Sequence, residues 1–227
     1  LRYHLGKEFE ALDAHGHAET YGVGVRYPVI RSERTNLFFT GNAEYRHYKD
    51  ESLDVAVKRK ELEAVNLGLS WDRNDISGRG WTQASLSLVG GNLNLTGEDL
   101  ATDQAGPNAA GAYFKLGGQV YRLQRLGMGF SLSARVNGQW ADKHLDSSEK
   151  FALGGPYGVR AYPVNEASGD SGLVATLELN KELGAGFSAA IFFDHGDIWI
   201  GRVSSAGSTL PNQYALYGAG LGLAYHY

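Results

Sequence analysis

A few short constellations in this chain carry side chains that could do chemistry. Gly169-Asp170-Ser171-Gly172 has the sequence of a segment that presents a serine nucleophile. Leu173 follows where such segments continue with glycine, and no histidine-containing base motif precedes it. A triad is defined by the geometry of its partners and not by one serine. Gly218-x-Gly220-x-Gly222 spells part of a dinucleotide fingerprint, but inside a strand pattern instead of at the opening of a helix. His15-Gly16-His17 puts two imidazoles close together without a ligand set around them, so a solvated turn is the better reading than a metal site. Glu98, Asp99 and Asp103 could attract a cation, yet a solvated external loop accounts for them more simply. The expectation is therefore no catalytic residue, no cofactor, no metal site, and a protein that is not an enzyme.

Composition narrows the class. The chain has 227 residues, of which 20% are charged and 43% hydrophobic, with a formal net charge of −4. A nucleic-acid partner would leave a basic footprint, and that is missing. Apolar content is too high for disorder. Cysteine is absent, which excludes disulfide scaffolds and thiolate metal sites. Mean hydropathy is slightly negative at −0.29. No apolar run approaches the ~18 residues of a spanning helix, which leaves β-barrels open because their strands hide the apolar face in alternation. Thirty-one glycines and 13 tyrosines beside only 5 prolines suit many long, closely paired strands. Leu1-Arg2-Tyr3-His4 opens directly into strand-like sequence, so the chain reads as starting inside a longer protein.

The elements that must position any site follow a period of two. Phe130, Leu132, Ala134, Val136 and Trp140 alternate with Ser131, Ser133, Arg135, Asn137 and Gln139. Thr82, Ala84, Leu86 and Leu88 do so against Gln83, Ser85 and Ser87; Leu173, Ala175, Leu177 and Leu179 against Thr176, Glu178 and Asn180. Ala215, Tyr217, Ala219, Leu221, Leu223 and Tyr225 oppose Gly218, Gly220 and Gly222. About ten strands result, near residues 1–11, 17–29, 36–49, 59–73, 81–91, 111–123, 127–141, 172–181, 185–199 and 213–227, and several reach the ~9–11 residues that cross a bilayer. Tight links at 30–35, 74–80, 124–126 and 182–184 alternate with longer polar or glycine-rich connections at 50–58, 92–110, 142–171 and 200–212, the pattern of short periplasmic turns and long external loops. Trp71, Trp81 and Tyr27 at strand ends suit an interfacial aromatic girdle. Alternation alone does not say which face meets water, and a soluble barrel gives the same pattern. Strand number and length, one-sided loop lengths and end aromatics favour an antiparallel up-and-down transmembrane barrel, with Arg26, Glu44, Arg46, Lys115, Arg135, Glu178, Phe192 and Asp194 lining its lumen.

The most specific segment is Leu153-Gly154-Gly155-Pro156-Tyr157-Gly158-Val159-Arg160-Ala161-Tyr162, followed by Ala167-Ser168-Gly169-Asp170-Ser171-Gly172 and the strand ending in Glu178-Leu179. It resembles the loop-six signature of two-partner secretion transporters, the haemolysin-activator and filamentous-haemagglutinin exporter family. Phe192-Phe193-Asp194 resembles that family's Phe-x-Asp element, and Tyr27-Pro28-Val29-Ile30-Arg31-Ser32 and Tyr217-Gly218-Ala219-Gly220-Leu221-Gly222-Leu223 extend the likeness over nearly the whole chain. Ala161 departs from the motif, where glycine is usual. The resemblance implies that residues 1–227 are roughly strands five to fourteen of a sixteen-stranded barrel, with the periplasmic domains, first strands and last hairpin outside this sequence. It implies that Gly154, Gly155, Val159, Arg160, Ala161 and Tyr162 form the tip of a loop folded into the barrel. Phe192 and Asp194 would then receive Arg160 on the wall, where a guanidinium fork matches a carboxylate. It implies a pore in the outer membrane of Gram-negative bacteria, in contact with the lipid bilayer, that exports a large exoprotein such as an adhesin, cytolysin or toxin. A passive porin or solute channel and a barrel insertase remain the alternatives. The porin would lack both motifs, and the insertase would share them.

Overall fold

The computed structural model describes residues 2–4, 15–52, 55–201 and 212–225. Strands β1 (Arg2–His4), β2 (His15–Arg31), β3 (Thr35–Ser52), β4 (Val55–Asn74) and β5 (Gly80–Leu95) come first. Helix α1 (Gly97–Ala105) separates them from β6 (Gly111–Gly127) and β7 (Phe130–Ala141). A small hairpin of β8 (Phe151–Leu153) and β9 (Ala167–Gly169) precedes β10 (Ser171–Gly184), β11 (Phe187–Trp199) and β12 (Gln213–Tyr225). Ten strands form one antiparallel meander in the order β1 to β7, then β10, β11 and β12, while β8 and β9 pair only with each other. Among the described residues β1 and β12 do not pair, so the sheet is an arc of barrel wall.

Register sorts every strand into two faces, because directly opposed residues point the same way. Leu132, Leu179, Ile191 and Leu221 oppose one another across β7, β10, β11 and β12, on one face. Arg135, Thr176, Asp194 and Gly218 form a neighbouring row on the other. The first face is bare: Leu86 is 46%, Leu177 50% and Leu221 82% exposed. Apolar side chains left exposed in continuous rows across a whole sheet belong against lipid. On β4 the apolar outer run from Val65 to Trp71 covers six residue steps, about 20 Å at ~3.3 Å per residue, close to the ~25 Å band of outer-membrane barrels. Leu177→Arg is expected to cost about 2–4 kcal/mol in the bilayer. The heat-modifiable, assembled fraction should fall several-fold on gels, and wild-type assembly in that variant would sink this assignment of faces.

Polarity inverts beyond the band. At the loop end of β4 and β5, Glu61, Glu63, Asn92 and Asn94 point outward by register, and Leu62, Ala64, Val89 and Leu93 point inward. The inward set is buried with Ala109, Tyr113, Ala141 and Leu145 in a single apolar cluster. Here the wall stands clear of lipid and packs its loops as a soluble protein would. That explains several departures from the sequence reading. Residues 50–58 are not a long loop, since β3 runs to Ser52 and β4 starts at Val55. Residues 92–110 hold the end of β5 and a helix, whose first-turn Glu98 and Asp99 suit the positive end of its dipole. The acidic cluster is not a solvated loop: Asp103 is 7% exposed and accepts the Ala109 and Ala110 amides, both at 2.9 Å. Asp99 accepts the Arg59 amide.

The tight turns lie at 128–129 and 185–186, a few residues beyond the expected 124–126 and 182–184, with Met128 and Ala185 at positive φ. His15-Gly16-His17 opens β2 instead of forming a turn. Trp71 faces outward, but Trp81 lies on the inner face, edge-on to Tyr121, and does not join a lipid-facing girdle. The expected strand 1–11 lies outside the described residues apart from Arg2–His4.

Candidate functional site

The segment between β7 and β10 does not stand outside the wall; it folds against the inner face. Its core is the β8–β9 hairpin, where Phe151 opposes Gly169 and Leu153 opposes Ala167. Gly154 and Gly155 turn the tip with φ of +87° and +81°, the left-handed region open to glycine. The Gly155 amide donates to the Tyr162 carbonyl at 2.9 Å, and the Tyr162 amide donates to the Val159 carbonyl at 3.1 Å. Ala161, which replaces the usual glycine, is not among the positive-φ residues, so its methyl group costs the tip no strain.

Side chains seat the tip. Leu153 and Val159 are fully buried, and Leu153 packs with Val174 and Ile198 on the wall. The wall is hollowed to receive them. A β-carbon on Gly196 would lie 2.9 Å from Leu153 Cδ2 and 3.0 Å from Val159 Cγ2. One on Gly218 would lie 3.1 Å from the Ala161 methyl. Gly196→Val is therefore expected to push the tip off the wall and cut its protection from added protease about threefold without loss of assembled barrel. Unchanged protection would show that the fit is not what holds the tip.

Arg160 is the centre of this seat. Its Nε and Nη2 donate to the two oxygens of Asp194, each at 2.9 Å, a bidentate fork. Its own backbone amide adds a third bond to Asp194 at 3.1 Å. Nη1 donates to Glu178 at 2.5 Å, and Asn180 holds the other Glu178 oxygen at 3.0 Å. The guanidinium carbon sits 3.4 Å from the centre of the Phe192 ring. Asp194 is 0% exposed, while the Arg160 side chain keeps 25%. One cation is thus shared by two carboxylates and an aromatic face on adjacent strands β10 and β11.

A second attachment carries no motif in the sequence. Glu149, 5% exposed at the start of the segment, receives Arg46 Nη1 at 2.6 Å and Lys115 Nζ at 2.6 Å. Arg46 also binds Glu44, and Gln139 Nε2 donates to the Glu149 carbonyl at 3.0 Å. Three of the residues expected to line the lumen, Glu44, Arg46 and Lys115, gather round one loop carboxylate. Close by, Lys60 meets Asp146 at 2.7 Å. Burial works against the Asp146 charge, but Lys60 and Ser148 donate to it and hold its carboxyl below the usual range.

Asp170, in the Ser-Gly-Asp-Ser-Gly run, is 2% exposed. It accepts the Leu145 amide at 3.0 Å and lies 2.8 Å from His144 Nδ1, joining the two ends of the segment. The neighbouring Ser171 hydroxyl accepts the Ala141 amide and so serves the backbone. Arg135 lies outside these networks, with its guanidinium 5.5 Å from the Tyr121 ring centre. Glu149 and Asp146 carried no sequence signal, since acids in an aperiodic polar stretch look like solvated loop. Asp170 did, in the glycines that flank it.

The arrangement holds no nucleophile–base pair, and among the described residues no group of three or more potential metal ligands. What it can do is mechanical. The segment leaves β7, is fixed by Glu149 and Asp146 to β3, β4 and β6, and is fixed by Arg160 to β10 and β11. It bridges separate parts of the inner wall through ion pairs that can exchange with water.

Residues 2–225 match the family model described as haemolysin secretion/activation protein ShlB/FhaC/HecB. Heme/hemopexin transporter protein HuxB of Haemophilus influenzae strain 86-028NP is 31% identical over 238 residues, covering 99% of this chain and 41% of its own length. A second Haemophilus influenzae HuxB is 33% identical, over 86% of this chain and 36% of its own length. The chain thus spans about two-fifths of these relatives. CdiB from Acinetobacter baumannii superposes with a TM-score of 0.72 at 18% identity, covering 100% of this chain and 39% of its own. CdiB from Escherichia coli gives 0.69 at 17% identity, over 93% of this chain and 40% of its own.

Proposed function

The chain belongs to the haemolysin secretion/activation family of ShlB, FhaC and HecB, and from that premise we propose that it forms barrel wall in an outer-membrane pore that secretes a partner exoprotein. Residues 1–227 contribute strands to a closed barrel in the outer membrane of a Gram-negative cell, with the tight turns facing the periplasm and the long connections facing outward. The cargo crosses unfolded. No nucleotide is available at that membrane, so folding of the cargo outside provides direction.

The observation that carries this reading is the inward hairpin fastened through Arg160 to Asp194 and Glu178. A passive solute channel has no use for a plug held on two parts of its wall by exchangeable ion pairs. A conduit that opens for a polypeptide does. On this reading Gly154, Gly155, Val159, Arg160, Ala161 and Tyr162 are the moving tip, Phe192, Asp194 and Glu178 its receiver, and Glu44, Arg46 and Lys115 the anchorage of its base. Secretion decides between the readings. Full-length transporter co-expressed with its exoprotein should release that protein into the medium, and transporter alone should not raise uptake of small sugars. Sugar uptake without export would favour a porin, and failed assembly of other barrels on depletion would favour an insertase.

A further inference from the structure

The inner face is divided along the barrel axis. At the loop end its charges neutralise each other, in the Glu44–Arg46–Glu149–Lys115 and Lys60–Asp146 groups. At the turn end they do not. By register Arg26 and Arg31 of β2, Arg125 of β6 and Arg135 of β7 all point inward, on the face of Asp194 and Glu178. None of the four has an ion pair among the described residues. The inward acids at that end are Asp72, bound by Asn36 at 3.0 Å, and Glu182 at the rim. Glu178, deeper in, is already taken by Arg160.

Two of these arginines are mounted on aromatic rings. The Arg26 guanidinium carbon lies 4.1 Å from the centre of Phe38, which shares its face. That of Arg135 lies 5.5 Å from Tyr121, which is itself braced edge-on by Trp81 at 5.6 Å. Strands β4 and β5 separate the two pairs, which stand on different parts of the wall. Both arginines are five residues from the turn end of their strands, and Arg135 lies in the row of Thr176 and Asp194. A guanidinium held on a ring is less hydrated than an ammonium and presents its donors without further ordering.

We infer that the turn-end half of the lumen is a loading site for an acidic, extended stretch of polypeptide, held by Arg26, Arg31, Arg125 and Arg135 on the turn side of the hairpin base. An unfolded chain exposes carboxylates and its own backbone carbonyls, and unpaired inward arginines can bind both in turn without a fixed sequence. Low-dielectric walls concentrate the field of such a cluster on whatever enters. The cationic turn end and the charge-neutral hairpin base then differ along the path. The identity of the occupant rests on the secretion reading; the test does not.

Full-length transporter in detergent micelles is titrated into a fluorescein-labelled, unstructured peptide of Glu, Ser and Gly, and into a matched peptide of Lys, Ser and Gly, with anisotropy as the readout. The acidic peptide should bind at least tenfold more tightly at low salt and lose most of that preference in high salt. Arg26→Gln with Arg135→Gln should weaken acidic-peptide binding about tenfold, and Arg26→Gln alone serves if the double variant does not assemble. Arg73→Gln, at the same end but outward-facing by register, should change it less than twofold. Equal binding of both peptides, or equal loss in the Arg73 variant, overturns the inference. A transporter that binds the acidic peptide but exports nothing leaves the inference standing and removes the secretion reading. Export by a protein indifferent to peptide charge does the reverse.

Discussion

Arg160→Ala and Asp194→Ala should each lower export of a co-expressed partner at least twentyfold while outer-membrane levels of the transporter stay normal. Every hydrogen bond between the hairpin tip and Asp194 comes from Arg160, two from its guanidinium and one from its backbone amide. Removing the arginine leaves a carboxylate with no exposed surface and no cation beside it, since Glu178 next to it is also anionic. In a dry interior such a loss costs about 3–5 kcal/mol, and an ion pair that keeps a quarter of its cation exposed loses less. The barrel does not depend on this pair, because its ladder is made by backbone bonds on every strand. What is lost is the docked position of the tip. Arg160→Lys should recover little, because a point charge cannot satisfy two carboxylates and stack on Phe192. Exchanging the charges, Arg160→Asp with Asp194→Arg, should restore only part of the export, because the introduced aspartate faces Glu178. Export from both single variants at wild-type rates, measured at equal barrel abundance, would refute the role.

Much of this was legible in the residues, and the boundary is physical. Alternation reveals a face wherever one side meets lipid, which is why Leu132, Val136, Leu177 and Leu221 separate cleanly from Arg135, Asn137 and Glu178. It loses meaning where the wall rises above the membrane, and there Leu62, Ala64, Val89 and Leu93 turn inward against Tyr113 and Leu145. Polar outer residues such as Asn92 and Asn94 then look like loop, and the connections expected at 50–58 and 92–110 take in the ends of β3, β4 and β5. Helix α1 had no apolar stripe to announce it; only Asp103 is buried, and it serves the turn that follows. Arg160 and Asp194 stood out by resemblance. Glu149 had neither periodicity nor motif, because its partners Arg46 and Lys115 are 103 and 34 residues away and meet it only on the folded sheet.

Glu149→Ala should then open the resting pore without abolishing the Arg160 seat. Glu149 is the point where three strands hold the base of the inward segment, and both its oxygens are occupied by cations at 2.6 Å. Without it Arg46 keeps Glu44, but Lys115 is left with a backbone carbonyl alone and the base of the segment is held by the Lys60–Asp146 pair without its Glu149 partners. A loss of about 2 kcal/mol, reduced from the buried-pair range because the Arg46 side chain remains 23% exposed, multiplies the undocked population about thirtyfold. Full-length protein in planar bilayers should show that as a comparable rise in the time spent conducting, and cells should admit large antibiotics that the wild type excludes. Glu149→Gln keeps the shape and one accepting oxygen, but turns an amide nitrogen donor toward the other cation, so it should fall between. Lys115→Ala should resemble Glu149→Ala, and combining the two should add little if they act through one another, as interacting neighbours do in a double-mutant cycle. Conductance unchanged in Glu149→Ala, with the barrel assembled, would mean that the base attachment does not hold the pore shut.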